Sequence, residues 1–192
     1  MKYHAFYVDK NLLIRIKNKE CTSFERIEDI SVLYNEKDLI GYNIFNFDCA
    51  NLEGGLVKLD ESINAKVNNR LAKINHDALE IDAENYFVVG YIKSIEKHPD
   101  SSKLNVCQVD LGDKEVQIVC GAKNVAADLK VVVAKVGAVL FNGTWIKKGK
   151  LMGVESNGMI CSIKDLGLTK ESPGIIVLAD NYQVGACYIN EN

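Results

Sequence analysis

From residue 87 onward the sequence is a succession of short apolar runs separated by turn residues, and this pattern constrains the fold more than any other feature. The runs FVVGYIKSIEK, LNVCQVDLG and EVQIVCG alternate, with some irregularity, between apolar and polar residues. They are separated by HPDSSK and by Gly112-Asp113, both of which are typical turn sequences. Strand-like runs with such short connections predict a three-stranded antiparallel meander over residues 87–120.

Two further runs extend this pattern beyond the meander. VVVAKVGAVL predicts a fourth strand that bends at Gly137, and AKNVAADLK before it predicts a turn or a short helix. Asn142-Gly143 is a strong hairpin signal, after which WIKKGKLMGV returns as a strand. Five or so strands of this kind suit a small closed barrel such as the OB-fold, although periodicity alone does not separate it from another small β-barrel.

The first part of the chain mixes strands with one helix. HAFYVDKNLLIRIKN predicts a hairpin around Asp9-Lys10-Asn11, CTSFERIEDI a strand followed by a turn, and LIGYNIFNF another strand. Residues 61–79 carry apolar side chains at helical spacing, with Asp60 or Ser62 as the cap. We therefore predict a mainly β chain with α+β character. A small α+β domain over residues 1–86 is followed by an OB-fold β-barrel with a C-terminal extension over residues 87–192.

Composition and charge narrow the class of protein. The 192 residues are 47% hydrophobic and 26% charged, as in an ordinary globular protein, and the net charge is -3. Residues 1–86 hold 11 Lys+Arg against 15 Asp+Glu, net -4, whereas residues 87–192 hold 12 against 11, net +1. An anion site is therefore expected in the second domain. The sequence has no export signal and no run of about eighteen apolar residues, which predicts a cytoplasmic protein without membrane contact.

The cysteines and histidines do not predict a catalytic or metal centre. The six cysteines contain no CxxC pair and the three histidines do not accompany them at metal-ligand spacing, so no metal or cofactor is expected. Cys161 has no nearby base, and His98 is the only histidine of the second domain. Buried reduced thiols in a protein that is not an enzyme are the better interpretation.

Lysines of the second domain suggest an anionic partner. Lys147, Lys148 and Lys150 cluster beside Trp145, and further lysines of the same domain could reach one face of a barrel: Lys93, Lys97, Lys103 and Lys123. Ammonium groups neutralise phosphates without reading sequence. The alternative is that exposed lysines on strands only increase solubility and discourage edge pairing.

The segment KLMGVESNGMICS suggests a recognition loop. The Asn157-Gly158 turn would bring the Ser156 hydroxyl close to the Met159 thioether. A hydroxyl can bind ribose or phosphate, and a thioether can lie against a base. The alternative is that Met159 fills the interior of the barrel.

These motifs, in this order, resemble the tRNA-binding OB-fold family. Its members include a domain of the bacterial phenylalanyl-tRNA synthetase beta chain and free-standing bacterial tRNA-binding proteins. The resemblance covers residues 87–168 and implies binding of folded tRNA at its outer corner, by shape and phosphate contacts. It also implies contacts to the corner from Ser156 and Met159, and contacts to phosphates from Lys93, Lys103, Lys148 and Lys150. Asn124 would contact RNA or hold its loop. One departure is Met152, where many relatives have an arginine.

Other functions remain open at this level. The chain could be a protein-interaction module whose N-terminal domain binds a protein partner, and a homodimer is equally compatible with the sequence. An OB-fold that binds single strands or oligosaccharides would need more exposed aromatic residues than this chain offers.

Overall fold

The computed structural model describes residues 2–48, 54–57, 60–81 and 84–188. The chain divides into two compact units, Met1–Glu84 and Asn85–Asn192. The domain boundary that the sequence suggests, after residue 86, lies two residues from this division. Each unit has its own sheet and its own hydrophobic core.

In its described residues, the first unit has seven strands and one helix. In chain order these are β1 (Lys2–Val8), β2 (Asn11–Arg15), β3 (Ser23–Ile27), β4 (Ile30–Asn35), β5 (Asp38–Ile44), β6 (Gly55–Leu56), α1 (Glu61–Lys73) and β7 (Glu80–Ile81). The strands pair in the order β3-β4-β5-β2-β1-β6, and β7 pairs in parallel with β1.

Turn geometry sets the register of this sheet. Asp9 and Lys10 both adopt positive φ, 47° and 65°, as a tight two-residue hairpin requires, and Val8 faces Asn11 across it. The predicted hairpin is thus confirmed. The segment after residue 30 is strand β4, whereas the sequence suggested a turn over residues 31–34.

Helix α1 covers one face of the sheet. Its buried residues Ile63, Val67 and Leu71 belong to the same core as the inward side chains of the strands, among them Tyr42 and Ile44. This spacing of four residues along one stripe is the helical periodicity read from the sequence.

The helix begins where the sequence indicates and ends earlier than predicted. The Asp60 carboxylate accepts a hydrogen bond from the Ile63 N–H at 2.8 Å, so Asp60 is the cap. The helix ends at Lys73, because Asn75 is left-handed (φ 57°) and the His76 N–H donates to the Leu71 carbonyl at 3.0 Å. This is a helix-terminating motif in which asparagine replaces the usual glycine. The predicted extension to residue 79 is therefore wrong.

In the described residues of the second unit, the regular elements are eight strands and one short 3-10 helix, Lys164–Leu166. The strands are β8 (Phe87–Lys97), β9 (Asn105–Asp110), β10 (Glu115–Cys120), β11 (Lys130–Ala134), β12 (Gly149–Leu151), β13 (Val154–Ser156), β14 (Met159–Ile160) and β15 (Val177–Leu178). The main sheet has the order β10-β9-β8-β11-β14, with β15 also on β11, while β12 and β13 form a separate hairpin.

The predicted meander and the mainly β fold class are confirmed. Strands β8, β9 and β10 pair in sequence, antiparallel throughout. Residues 121–129 form turns rather than a helix, and β11 ends at Ala134, before the bend at Gly137 (φ 100°). Among the described strands, no ladder joins β10 back to β14, so closure into an OB-type barrel stays a prediction.

The last described residues of the chain pair with the sheet. The Val89 N–H donates to Ala186 at 2.9 Å and the Tyr188 N–H donates to Phe87 at 2.9 Å, so this segment pairs with the start of β8. Lys130 donates from its ammonium group to the Tyr182 carbonyl at 2.7 Å. The C-terminal extension is thus part of the fold of this unit.

Two other expectations from the sequence concern the burial of the cysteines and the lack of a membrane-spanning segment. Of the five described cysteines, Cys107, Cys120 and Cys161 are buried as predicted, whereas Cys21 and Cys187 are exposed. Cys49 lies outside the described residues. Within the described ranges, no helix has the length and apolar content needed to cross a bilayer.

The cap at Asp60 gives a first testable prediction. Replacing Asp60 with alanine should lower the free energy of unfolding by about 1 kcal/mol, since it removes the acceptor of the Ile63 N–H. Urea unfolding followed by circular dichroism measures this change. Ser62→Ala, at an exposed site one residue into the helix, is the matched control and should be nearly neutral. Equal losses for both variants would contradict the assignment of the cap.

Candidate nucleic-acid interface

The hairpin of β12 and β13 and the residue before it present two exposed cations of the second unit. Lys148 and Lys150 are exposed, and no ion pair in the described part of the chain involves either of them. The turn at the tip is Met152-Gly153, with φ of 45° and 86°. Met152 is 58% exposed, so an apolar side chain stands at the tip, beyond the arm that carries Lys148 and Lys150; the other arm carries Glu155, which faces Lys150.

Histidine 98 fixes this hairpin to the rest of the unit. Its ring is only 4% exposed, and its Nδ1 accepts the Asp100 N–H at 3.1 Å. The proton must then be on Nε2, which lies 2.9 Å from the Leu151 carbonyl and donates to it. Both ring nitrogens are thereby satisfied by a neutral imidazole. In the sequence, His98 is notable only as the one histidine of the second domain, and no local signal indicates this positioning role.

Serine 156 is buried and its hydroxyl is engaged within the protein. The Oγ atom accepts the Val119 N–H at 3.1 Å and donates to the Gly158 carbonyl at 3.3 Å, and the residue is 5% exposed. Next to it, the Asn157 N–H donates to the Gln117 carbonyl at 2.8 Å. These bonds hold the recognition loop against β10. A direct contact of Ser156 to RNA stays a prediction that would require this hydroxyl to change partners.

Methionine 159 lies at the edge of a groove of about 710 Å³. It is half-buried on β14, opposite Ala134 of β11. The groove is also lined by Leu151 from the hairpin and by two exposed lysines, Lys164 and Lys170. The latter two were missed by sequence analysis, because they lie far along the chain from the lysine cluster.

Lysine 103 lines a second groove of about 750 Å³. Lys97 and Lys123 line the same groove, and the Lys97 ammonium donates to the Asn105 side-chain oxygen at 3.0 Å. Both grooves are lined by Gly121 and Ala122, so they adjoin at that loop. Two of the lysines noted in the sequence are therefore brought together with Lys103.

Lysine 93 differs from the other candidate lysines because it already has an anionic partner. Its ammonium group pairs with the Glu115 carboxylate, and this contact raises the pKa of Lys93. It lines neither groove. Its charge is thus largely balanced by Glu115, although both side chains are accessible to solvent.

The Asn124 side chain holds the chain segment around Ile175, which lies 51 residues later in the chain. Its side-chain nitrogen donates to the Ile175 carbonyl at 3.0 Å, and its side-chain oxygen accepts the Ile175 N–H at 3.0 Å. Gly174 is required beside this clamp, since a Cβ there would lie 2.1 Å from the Asn124 oxygen. Of the two roles suggested by the sequence, the structure provides the loop-holding one directly.

The buried thiols are not prepared for nucleophilic chemistry. Burial raises the pKa of Cys107 to about 12, and it also raises the pKa of Cys161, with a further contribution from Asp165. Thiols with raised pKa remain protonated at neutral pH and are poor nucleophiles. In the described residues, no group of three or more His, Cys, Asp or Glu side chains could hold a metal ion.

Comparison with known proteins agrees with this arrangement. The family model described as "Putative tRNA binding domain" matches residues 87–187. The chain is 41% identical over 198 aligned residues to the "Putative tRNA-binding protein YtpR" of Bacillus subtilis (strain 168), covering 96% of this chain and 98% of that protein. It is 52% identical over 107 residues to the phenylalanine–tRNA ligase beta subunit of Oceanobacillus iheyensis, covering 52% of this chain and 13% of that subunit.

A solved structure, that of a MetRS-related protein from Pyrococcus horikoshii, matches with 26% identity and a TM-score of 0.42, covering 54% of this chain and 88% of that one. The family is one of non-catalytic binding domains, which confirms the prediction that the chain is not an enzyme. The chain belongs to the tRNA-binding domain family.

Proposed function

We propose that this protein binds folded tRNA through its second unit and performs no chemistry on it. The observation that carries the proposal is a set of exposed lysines on a rigid hairpin beside a groove that contains Met159. Lysine supplies a compact charge suited to phosphates, whereas base readout relies on directed side-chain donors and acceptors. This surface is therefore suited to the shape and backbone of an RNA rather than to its sequence.

The proposed target is the outer corner of tRNA. Met159 and Met152 offer two apolar, polarisable side chains close to cations, which suits an exposed base pair or splayed bases flanked by phosphates. The lysines of the adjoining groove, with Lys103 among them, would follow the backbone away from that point. The hairpin is held in place by His98, so little ordering cost falls on binding.

We assign different roles to the remaining candidate residues. Ser156 shapes the loop through its bonds to Val119 and Gly158 and acts on RNA through Met159. Lys93 contributes less than Lys148 or Lys150, since Glu115 competes with phosphate for its ammonium group. Asn124 supports the groove by holding Ile175, which lines it.

The OB-type barrel belongs to this proposal. Gln117 accepts the Asn157 N–H at 2.8 Å and donates from its side chain to the Glu155 carbonyl at 2.8 Å, so β10 and β13 lie side by side. We infer that these contacts close the sheet where no regular ladder does. In a barrel closed by these contacts, the recognition loop lies where the two edges of the sheet meet.

The decisive experiment is a binding titration with the purified chain. Total tRNA should bind tightly at low salt and more weakly at high salt, and an unstructured single-stranded RNA should not displace it. No binding at low salt, or equal competition by the single strand, would overturn the proposal. Sedimentation of the same complex would reveal whether a homodimer, the other assembly compatible with the sequence, carries the tRNA.

Removing the hairpin charges should weaken tRNA binding and reduce its dependence on salt. In Lys148→Gln with Lys150→Gln, the slope of log affinity against log salt should fall by about 1.4–1.8, the contribution of two phosphate contacts. Titrations at four salt concentrations give this slope. The control Lys17→Gln with Lys19→Gln removes the same charge from the first unit and should leave the slope unchanged. An unchanged slope in the hairpin variant would show that these lysines do not face phosphate.

Met159 and Ser156 should be separable by their effects on binding and on stability. Met159→Ala should reduce tRNA affinity with little change in melting temperature, because its side chain is only half-buried at the groove. Ser156→Ala should lower the free energy of unfolding by about 1–3 kcal/mol, since it leaves the buried Val119 N–H without its acceptor. Thermal unfolding and tRNA titration on both variants test this division. A Ser156→Ala variant of normal stability but poor binding would instead favour a direct RNA contact.

The Asn124 side chain should support the groove that contains Met159 by holding Ile175, which lines that groove. Asn124→Ala should increase amide hydrogen exchange around Ile175, because both hydrogen bonds to that residue are lost. Exchange followed by mass spectrometry measures it. Lys123→Ala, next to it and exposed, is the control and should leave exchange at Ile175 unchanged.

A further inference from the structure

A groove on the first unit has features of a peptide-docking site. It measures about 450 Å³ and is lined by Phe24, Arg26, Ser31, Leu33, Asn43 and Phe45. The register places Phe24 opposite Leu33, and Arg26 opposite Ser31, so these residues share one face of the sheet. The alternate residues, such as Val32 and Ile44, belong to the core beneath α1. The groove is therefore on the face away from the helix.

Phe24 is the most exposed large apolar side chain of the described residues. It is 68% exposed on β3, although Leu33 next to it is buried. Exposure of an aromatic ring costs solvation free energy and, in a patch bordered by polar groups, is typical of an interaction surface.

The backbone of β3 can also form hydrogen bonds to an added strand at Phe24 and Arg26. In the described sheet, β3 pairs with β4 alone and forms an edge. The two-residue connection makes Ile27 and Ile30 a bonded pair, and bonded pairs alternate along an antiparallel ladder. The N–H and C=O groups of Phe24 and Arg26 consequently point outward, where an added strand would meet them.

The groove carries positive charge without anionic partners. The Arg26 guanidinium lies 3.9 Å from the Phe45 ring centre, and its Nε donates to the Glu28 carbonyl at 2.8 Å. Arg15 donates to the Asn43 side-chain oxygen at 3.1 Å, and burial lowers its pKa. Neither guanidinium is ion-paired to a carboxylate in the described residues. Arg26 lines the groove itself, so a carboxylate placed over the groove would meet its guanidinium.

We propose that an extended peptide carrying an acidic residue two positions from an apolar one adds to β3 as an extra strand. Its carboxylate would pair with Arg26, its apolar side chain would lie between Phe24 and Leu33, and its backbone would bond to the free edge. The net charge of -4 on residues 1–86 disfavours a polyanionic nucleic acid as the occupant. A second copy of β3 would bring Phe24 and Arg26 to this face, whereas its Glu25 lies on the opposite face of the strand and supplies no matching carboxylate here.

The test uses the full chain and a phage-displayed library of random nine-residue peptides. Selection should enrich peptides with Asp or Glu two residues from an aromatic or aliphatic residue, because alternate residues share one face of a strand. No enrichment over a blank surface, or enriched peptides without an acidic residue, would overturn the proposal.

Variants then locate the peptide on β3. One enriched peptide, synthesised with a fluorophore, should bind at least about tenfold more weakly to Arg26→Gln, given the strength of a hydrogen bond between charged groups. Phe24→Pro should weaken binding further than Phe24→Ala, since it also removes the outward N–H of an edge strand that tolerates proline. Lys66→Gln removes a charge from the opposite face, on α1, and should bind normally.

Two outcomes contradict the assignment directly. Equal binding by Arg26→Gln and the unmodified chain would show that the peptide sits elsewhere. Concentration-dependent dimerisation of the unmodified chain that is lost in Phe24→Pro would show that a second copy occupies the edge. tRNA binding should be unchanged in all these variants, so a failure of this proposal is distinguishable from a failure of the proposed tRNA function.

Discussion

The attachment of β13 and its following turn to β10 is the constraint on which the second unit depends. The Asn157 N–H and the Ser156 hydroxyl reach Gln117 and Val119, on a strand almost forty residues earlier. The hairpin pairs only three residues with three, so these bonds, together with the bond from His98 to Leu151, fix its position relative to the sheet. A buried hydroxyl with both its donor and acceptor used is well suited to this task, because leaving either partner unpaired is costly.

The same arrangement explains how a surface of flexible lysines can have a defined geometry. A lysine ammonium is a mobile point charge, so the precision of the surface must come from the backbone that carries it. Here His98 fixes the Leu151 carbonyl from one side and the Ser156 bonds fix the end of β13 from the other. The groove that contains Met159 is lined in part by Ile175, which Asn124 holds in place. Polar residues that resemble ligand contacts in the sequence thus form hydrogen bonds within the protein.

Sequence periodicity predicted the strands well, but it could not predict which polar side chains form hydrogen bonds or ion pairs within the protein. The meander of β8, β9 and β10 and the hairpin at Asp9-Lys10 follow from local alternation and turn chemistry. The burial of Ser156 and the pairing of Lys93 with Glu115 depend on contacts between distant strands, for which the sequence carries no local signal. The early end of α1 was readable in principle, because asparagine tolerates the left-handed conformation that ends helices.

The first unit is acidic and the second is nearly neutral, and this difference affects which charged partners each unit can bind. A polyanion is repelled by the acidic first unit as a whole, whereas a short acidic peptide responds only to the few groups it touches. Arg15 and Arg26 can therefore attract a local carboxylate on an acidic domain, while the lysines of the second unit attract phosphate on a nearly neutral one. All three arginines of the chain lie in the first unit, beside eight lysines, whereas the second unit has lysines alone; a planar guanidinium suits one fixed carboxylate and a compact ammonium suits a backbone of many phosphates. In the two proposals, the RNA and the peptide therefore contact different charges on different units of the chain.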